Sequence, residues 1–105
     1  MADLEKANSE SDAVTEEDTE SAVPPDCQVI FFNDDYTTKD FVVAVLVSVF
    51  HKSDTDALNL MESVHRSGSA VIGVYTYDIA ATRAGITVRR AREAGFPLRV
   101  EVKQI

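Results

Sequence analysis

Gln28-Val29-Ile30-Phe31-Phe32, followed at once by Asn33-Asp34-Asp35-Tyr36-Thr37, decides how this chain folds. The first run is β-branched or aromatic after its opening glutamine, is preceded by Pro24-Pro25, and reads as a buried strand. The second run is a polar turn, because short Asn and Asp side chains hydrogen-bond the backbone just ahead of them. Three adjacent acceptor-rich side chains, Asn33, Asp34 and Asp35, can also gather around one cation. A turn that caps a helix and a turn that binds are both open on these residues alone.

Toward the C-terminus, Phe41, Val42, Val45, Leu46, Val49 and Phe50 recur at the spacing of one helical face, although the valines by themselves favour a strand. Thr37 or Thr38 can cap this helix, and Asp40 sits at the end that favours negative charge. Ser53 or Asp54 caps a second helix, with Leu58, Met61, Val64 and His65 on one face and Gly68 as its stop. Ser69 to Tyr77 reads as a strand. Asp78 caps a third helix, Ile79 to Ala94, ended by Gly95 and Pro97. Leu98, Val100 and Val102 alternate with Arg99, Glu101 and Lys103, the pattern of a strand with one wet face. The order is β-α-α-β-α-β. It predicts an α/β fold of the α+β two-layer kind, three helices against a small three-stranded antiparallel sheet.

Toward the N-terminus the composition changes. Residues 1–23 hold eight carboxylates and one cation, Lys6, whereas residues 24–105 hold ten acidic and nine basic groups. The acidity of the chain is therefore that of its first segment, which has no aromatic residue and cannot bury enough apolar surface to order itself. The expected organisation is a disordered acidic extension over 1–25 and one core domain over 26–105, since 105 residues have room for a single core. The lone cysteine, Cys27, excludes an internal disulfide and suits a reducing compartment. The apolar run from Phe41 to Phe50 is about half the ~20 residues needed to cross a bilayer. The acidic start is unlike a signal peptide. The expectation is a soluble, cytoplasmic monomer.

A second cluster lies on the second helix, where Met61 and His65 are four residues apart and so stack as neighbours, with Val64 beside them. A histidine beside a methionine at this spacing ordinarily packs; it gains interest only if the Asn-Asp-Asp turn lies next to it. Cys27, His51 and His65 are too scattered for a zinc site. Phosphate-cradling glycine motifs are absent from the sequence. The cations Arg83, Arg89, Arg90, Arg92, Arg99 and Lys103 lack interleaved aromatics and read as a solvated surface. No metal, cofactor, nucleic acid or membrane is expected.

The strand ending in Asn33-Asp34-Asp35-Tyr36-Thr37, followed by Asp40-Phe41-Val42-Val43, resembles the ClpS adaptor family. So do Leu60-Met61-x-x-Val64-His65-x-x-Gly68, then Gly73-Val74-Tyr75-Thr76 and Pro97-Leu98. The resemblance runs from about Val29 to Val102, in order and with family spacing. It implies a non-catalytic adaptor of the bacterial N-end rule. Such a protein binds substrates with a free, bulky apolar first residue (Leu, Phe, Tyr or Trp) and passes them to the N-terminal domain of a ClpA-type AAA+ unfoldase for degradation by ClpP.

On this resemblance Asn33, Asp34 or Asp35 (Asp35 preferred) and His65 accept hydrogen bonds from the substrate α-ammonium. Phe31, Phe32, Thr37, Lys39, Val42, Met61, Val64 and Leu98 line the socket for the first side chain, and Asp78 and Arg83 belong to the unfoldase-docking surface. In the family a flexible N-terminal arm also takes part in delivery, which the resemblance extends to residues 1–23 on their length and expected disorder, since the arm's sequence is not shared. One departure stands out: Lys39 occupies the place where the family usually has a methionine wall. Its stem can replace part of that wall while its head reaches water, but its charge lies near an incoming ammonium, so weaker or altered first-residue selection is expected. A second reading is a ClpS-like paralogue that docks on the unfoldase and regulates it, with weak or altered N-degron specificity. A third, a small enzyme using Asp35 and His65 as an acid/base pair, finds no substrate-cleaving constellation in the resemblance.

Overall fold

Strand β1 (Asp26–Phe32) organises the molecule because its alternation separates two environments. Cys27, Val29 and Phe31 are buried, while Gln28, Ile30 and Phe32 are only half covered. β1 is the middle strand of a three-stranded antiparallel sheet ordered β2-β1-β3. The computed structural model describes residues 25–105, with α1 (Lys39–Ser48), α2 (Asp54–Ser67), β2 (Ser69–Thr76), α3 (Tyr77–Glu93) and β3 (Arg99–Gln104) completing the β-α-α-β-α-β order. The acidic extension expected over 1–25 lies, but for its last residue, outside the described residues.

α3 packs against all three strands, α2 against β2, and α1 against α2. The shared core joins Val29 and Phe31 to Val42, Val45 and Leu46 from α1 and to Ala57, Met61 and Val64 from α2. Phe31 is fully buried and meets Phe50 edge to face, ring centroids 5.6 Å apart. On the opposite side of β1 the Arg99 guanidinium lies 4.3 Å from the centre of the Phe32 ring. Among the described residues no helix is long and apolar enough to cross a membrane.

The termini of the helices differ from the sequence expectation in ways the local chemistry explains. α1 is capped by Thr38, whose hydroxyl accepts from the Phe41 amide at 3.2 Å, while Thr37 is engaged elsewhere. The helix stops at Ser48, yet Val49 and Phe50 stay buried in the turn that follows, so the apolar face outlasts the regular helix. Ser53 caps α2 through the Asp56 amide. The buried stripe of α2 is Ala57, Met61 and Val64; Leu58 is half exposed and His65 exposed, because small Ala57 rather than Leu58 meets the core. Asp78 is not the cap of α3. Helix α3 begins one residue earlier, at Tyr77, after Thr76, and Asp78 lies in its first turn, where its charge still suits the helix dipole.

Candidate functional site

The chain enters the site where β1 ends. Phe32 pairs with Ser69, the first residue of β2, and one residue further on the Asn33 amide donates to the Gly68 carbonyl at 2.8 Å. Gly68 closes α2 in the left-handed region, φ 88°, with its own amide bonded to the Val64 carbonyl. Nothing lies within 4 Å of where a Cβ on Gly68 would stand, so glycine is required here by backbone angle and not by space. This stitching brings the Asn-Asp-Asp turn beside the last turns of α2. The turn and His65 are thereby neighbours, although thirty residues separate them in sequence.

Asn33, Asp34, Asp35, Thr37, Lys39, Val42, Met61, Val64 and His65 surround one cavity of about 230 Å³. Its base is apolar: Val42, Met61 and Val64 are buried. Its mouth is polar: Asn33, Asp35 and His65 are exposed. The volume is below the ~300–1,000 Å³ of a typical small-molecule pocket and suits one side chain. A larger, open groove of about 440 Å³, lined by Tyr36, Arg92, Gly95, Phe96 and Pro97, has no carboxylate in its lining.

The two aspartates divide the work. Asp34 accepts from the Tyr36 amide at 2.8 Å and the Thr37 amide at 2.7 Å through Oδ1, and from the Thr37 hydroxyl at 2.7 Å through Oδ2. Partial burial works to raise its pKa, but the Thr37 hydroxyl and the two amides outweigh it and hold the carboxyl below its ordinary value. Both oxygens are thus committed to shaping the turn. Asp35, by contrast, forms no hydrogen bond or ion pair among the described residues, and its carboxylate is exposed at the cavity mouth.

A stability consequence follows from Asp34. A carboxyl whose folded-state pKa lies below its unfolded value adds stability that is complete above the unfolded value, about 3.9. That contribution fades as pH falls through the folded value. Asp34→Asn should therefore unfold more easily than the natural protein at neutral pH, with the gap shrinking below about pH 4. Denaturant midpoints measured along a pH series would check this; a gap that widens on acidification would contradict it.

Lys39 contributes its stem to the cavity wall while its ammonium turns to Glu62, Nζ to Oε2 3.9 Å. Glu62 also faces Arg66 at 4.0 Å, one helical turn on. The sequence reading passed over Glu62. Its spacing before Arg66 on α2 was the available signal, but the approach of Lys39 from α1 depends on tertiary packing. Phe31, Phe32 and Leu98 are not among the lining side chains: Phe31 and Leu98 are buried in the core, and Phe32 lies on the far face of the sheet under Arg99. Asp78 and Arg83 sit together on a separate shallow surface with Ile79 and Thr82, and the Arg83 guanidinium lies 5.1 Å from the centre of the Tyr75 ring. Among the described residues no three His, Cys, Asp or Glu side chains converge tightly enough to hold a metal.

The sequence model of the family described as ATP-dependent Clp protease adaptor protein ClpS matches residues 22–101. The ClpS adapter of Nautilia profundicola is 45% identical over 92 residues, covering 88% of this chain and 95% of that protein. The ClpS adapter of Acetivibrio thermocellus is 54% identical over 71 residues, covering 68% of this chain and 72% of that protein. Among solved structures, Agrobacterium tumefaciens ClpS2 bound to L-phenylalaninamide superposes with a TM-score of 0.76 at 40% identity, covering 79% of this chain and all of that one. The chain belongs to the ClpS family of ATP-dependent Clp protease adaptor proteins, and its part in proteolysis is that of an adaptor and not of a catalyst.

Proposed function

We propose that the cavity holds the first side chain of a protein substrate with a free N-terminus, and that Asn33, Asp35 and His65 accept its α-ammonium. The observation that carries this reading is the meeting of an apolar base with an uncommitted acceptor cluster at one small opening. An ammonium has three donors, and Asn33 Oδ1, an Asp35 oxygen and an unprotonated His65 ring nitrogen offer three acceptors. Burying a Leu or Phe side chain on Val42, Met61 and Val64 is worth about 1.5–3 kcal/mol. Each charge-assisted bond adds a similar amount, about 1.5–3 kcal/mol. A blocked amine or a small first residue forfeits one of the two contributions, which yields selection for free, bulky N-termini. The phenylalaninamide bound by the Agrobacterium protein has this chemistry, a free amine beside a phenyl ring, and supports the reading.

Docking on the N-terminal domain of a ClpA-type unfoldase is assigned to the surface carrying Asp78 and Arg83, and the protein is read as a cytoplasmic monomer. The test is a fluorescence titration with a Phe-initiated peptide and its N-acetylated twin. Binding only to the free amine is expected, with acetylation weakening it by about a hundredfold or more. Equal binding of the two would defeat the proposal. A paralogue that docks on and regulates the unfoldase, with weak or altered N-degron specificity, would bind the free-amine peptide weakly.

A further inference from the structure

Lys39 is out of place electrostatically. It is the first residue of α1, where the helix dipole disfavours a cation, and its stem borders a cavity whose mouth is read above as an ammonium site. An unneutralised lysine there would repel the group the acceptor cluster attracts. Glu62 meets this charge directly, its Oε2 3.9 Å from the Lys39 ammonium, and the contact spans from α1 to α2 across the cavity wall. Glu62 follows Met61, which lines the base, and stands one turn before Arg66, to which its other oxygen turns.

We infer that Glu62 is a positioning residue of the binding site: it draws the Lys39 head aside and cancels its charge, so that a lysine stem serves as socket wall without opposing the substrate amine. This rests on the reading given under Proposed function. Glu62 acts through Lys39 and makes no contact of its own with the substrate. As a stability element the pair counts for little, since both side chains are about half exposed (51% and 41%). Its importance lies in where the charge would otherwise sit.

Two like charges in a partly solvated mouth repel only modestly, and salt screens them. Glu62→Gln should therefore raise the Kd of a free-amine Phe-initiated peptide about fivefold at low salt. Raising the salt to about 1 M, where the Debye length is ~3 Å, should remove most of that loss. In a Lys39→Met background the same Glu62→Gln change should alter Kd by less than about twofold, because the charge it answers is gone. Lys39→Met alone changes the socket wall as well as the charge, so its own Kd serves as the reference from which the Glu62→Gln effect in that background is read.

The cycle of four proteins, each first checked for an unchanged unfolding midpoint, decides the matter. Equal losses in both backgrounds would mean that Glu62 attracts the amine directly and would overturn the inference. No loss in either background, or a loss indifferent to salt, would overturn it as well. Binding of the natural protein to the free-amine peptide but not to its acetylated twin, run in the same series, tests the underlying reading separately from Glu62.

Discussion

Asp35→Asn should raise the Kd of a Phe-initiated peptide by about tenfold to a hundredfold while leaving the unfolding midpoint near that of the natural protein. The magnitude follows from losing one ionised acceptor of an ammonium, about 1.5–3 kcal/mol. The contrast with its neighbour gives the experiment its force. Asp34 spends both oxygens on Tyr36 and Thr37, so its replacement by asparagine is expected to register first in stability. Asp35 shapes nothing among the described residues and is expected to register in affinity alone. His65→Ala belongs with Asp35→Asn, since His65 is exposed at the mouth and outside the buried stripe of α2. Should Asp35→Asn and His65→Ala both bind like the natural protein, the amine site lies elsewhere.

Phe31→Ala should have the opposite signature, with a loss of about 3–5 kcal/mol in stability. Phe31 is fully buried on the middle strand and meets Phe50 edge to face, so truncation opens a void in the close-packed core. For a domain of this size such a loss lowers Tm by more than about 10 °C, and it is a large share of the ~5–15 kcal/mol that holds a typical domain together. Thermal or denaturant unfolding measures it directly. A change below about 1 kcal/mol would mean that the strand does not anchor the core as described.

Phe31 also marks the limit of what the sequence made legible. Element order and the apolar face of α1 were readable because period-2 and period-3.6 patterns report burial directly. The turn and the Met61–His65 pair were readable as two separate clusters. Their union was not readable from pattern, because it depends on β1–β2 pairing and the Asn33–Gly68 bond; family resemblance supplied it. Family resemblance places Phe31, Phe32 and Leu98 at the socket, and they are absent from the side chains that line the cavity. Alternation along β1 instead sends Phe31 into the core and Phe32 under Arg99. Leu58 failed for a related reason. A helix face is chosen by what packs against it, and here Ala57 is fully buried while Leu58 is half exposed. The residue pattern does not distinguish Asp34 from Asp35; the resemblance prefers Asp35, and the hydrogen bonds that commit Asp34 to the turn give the physical reason.

The amide of Asn33 that reaches the carbonyl of Gly68 means that the proposed grip on a degradation signal and the seam of the sheet share one fastening. The greasy floor and the charged wall can change residue by residue, but moving the Asn-Asp-Asp turn away from the end of α2 would also break the β1–β2 seam. Variation in taste among such adaptors should therefore collect around positions such as Lys39 and Glu62, and spare the hinge between strand and helix.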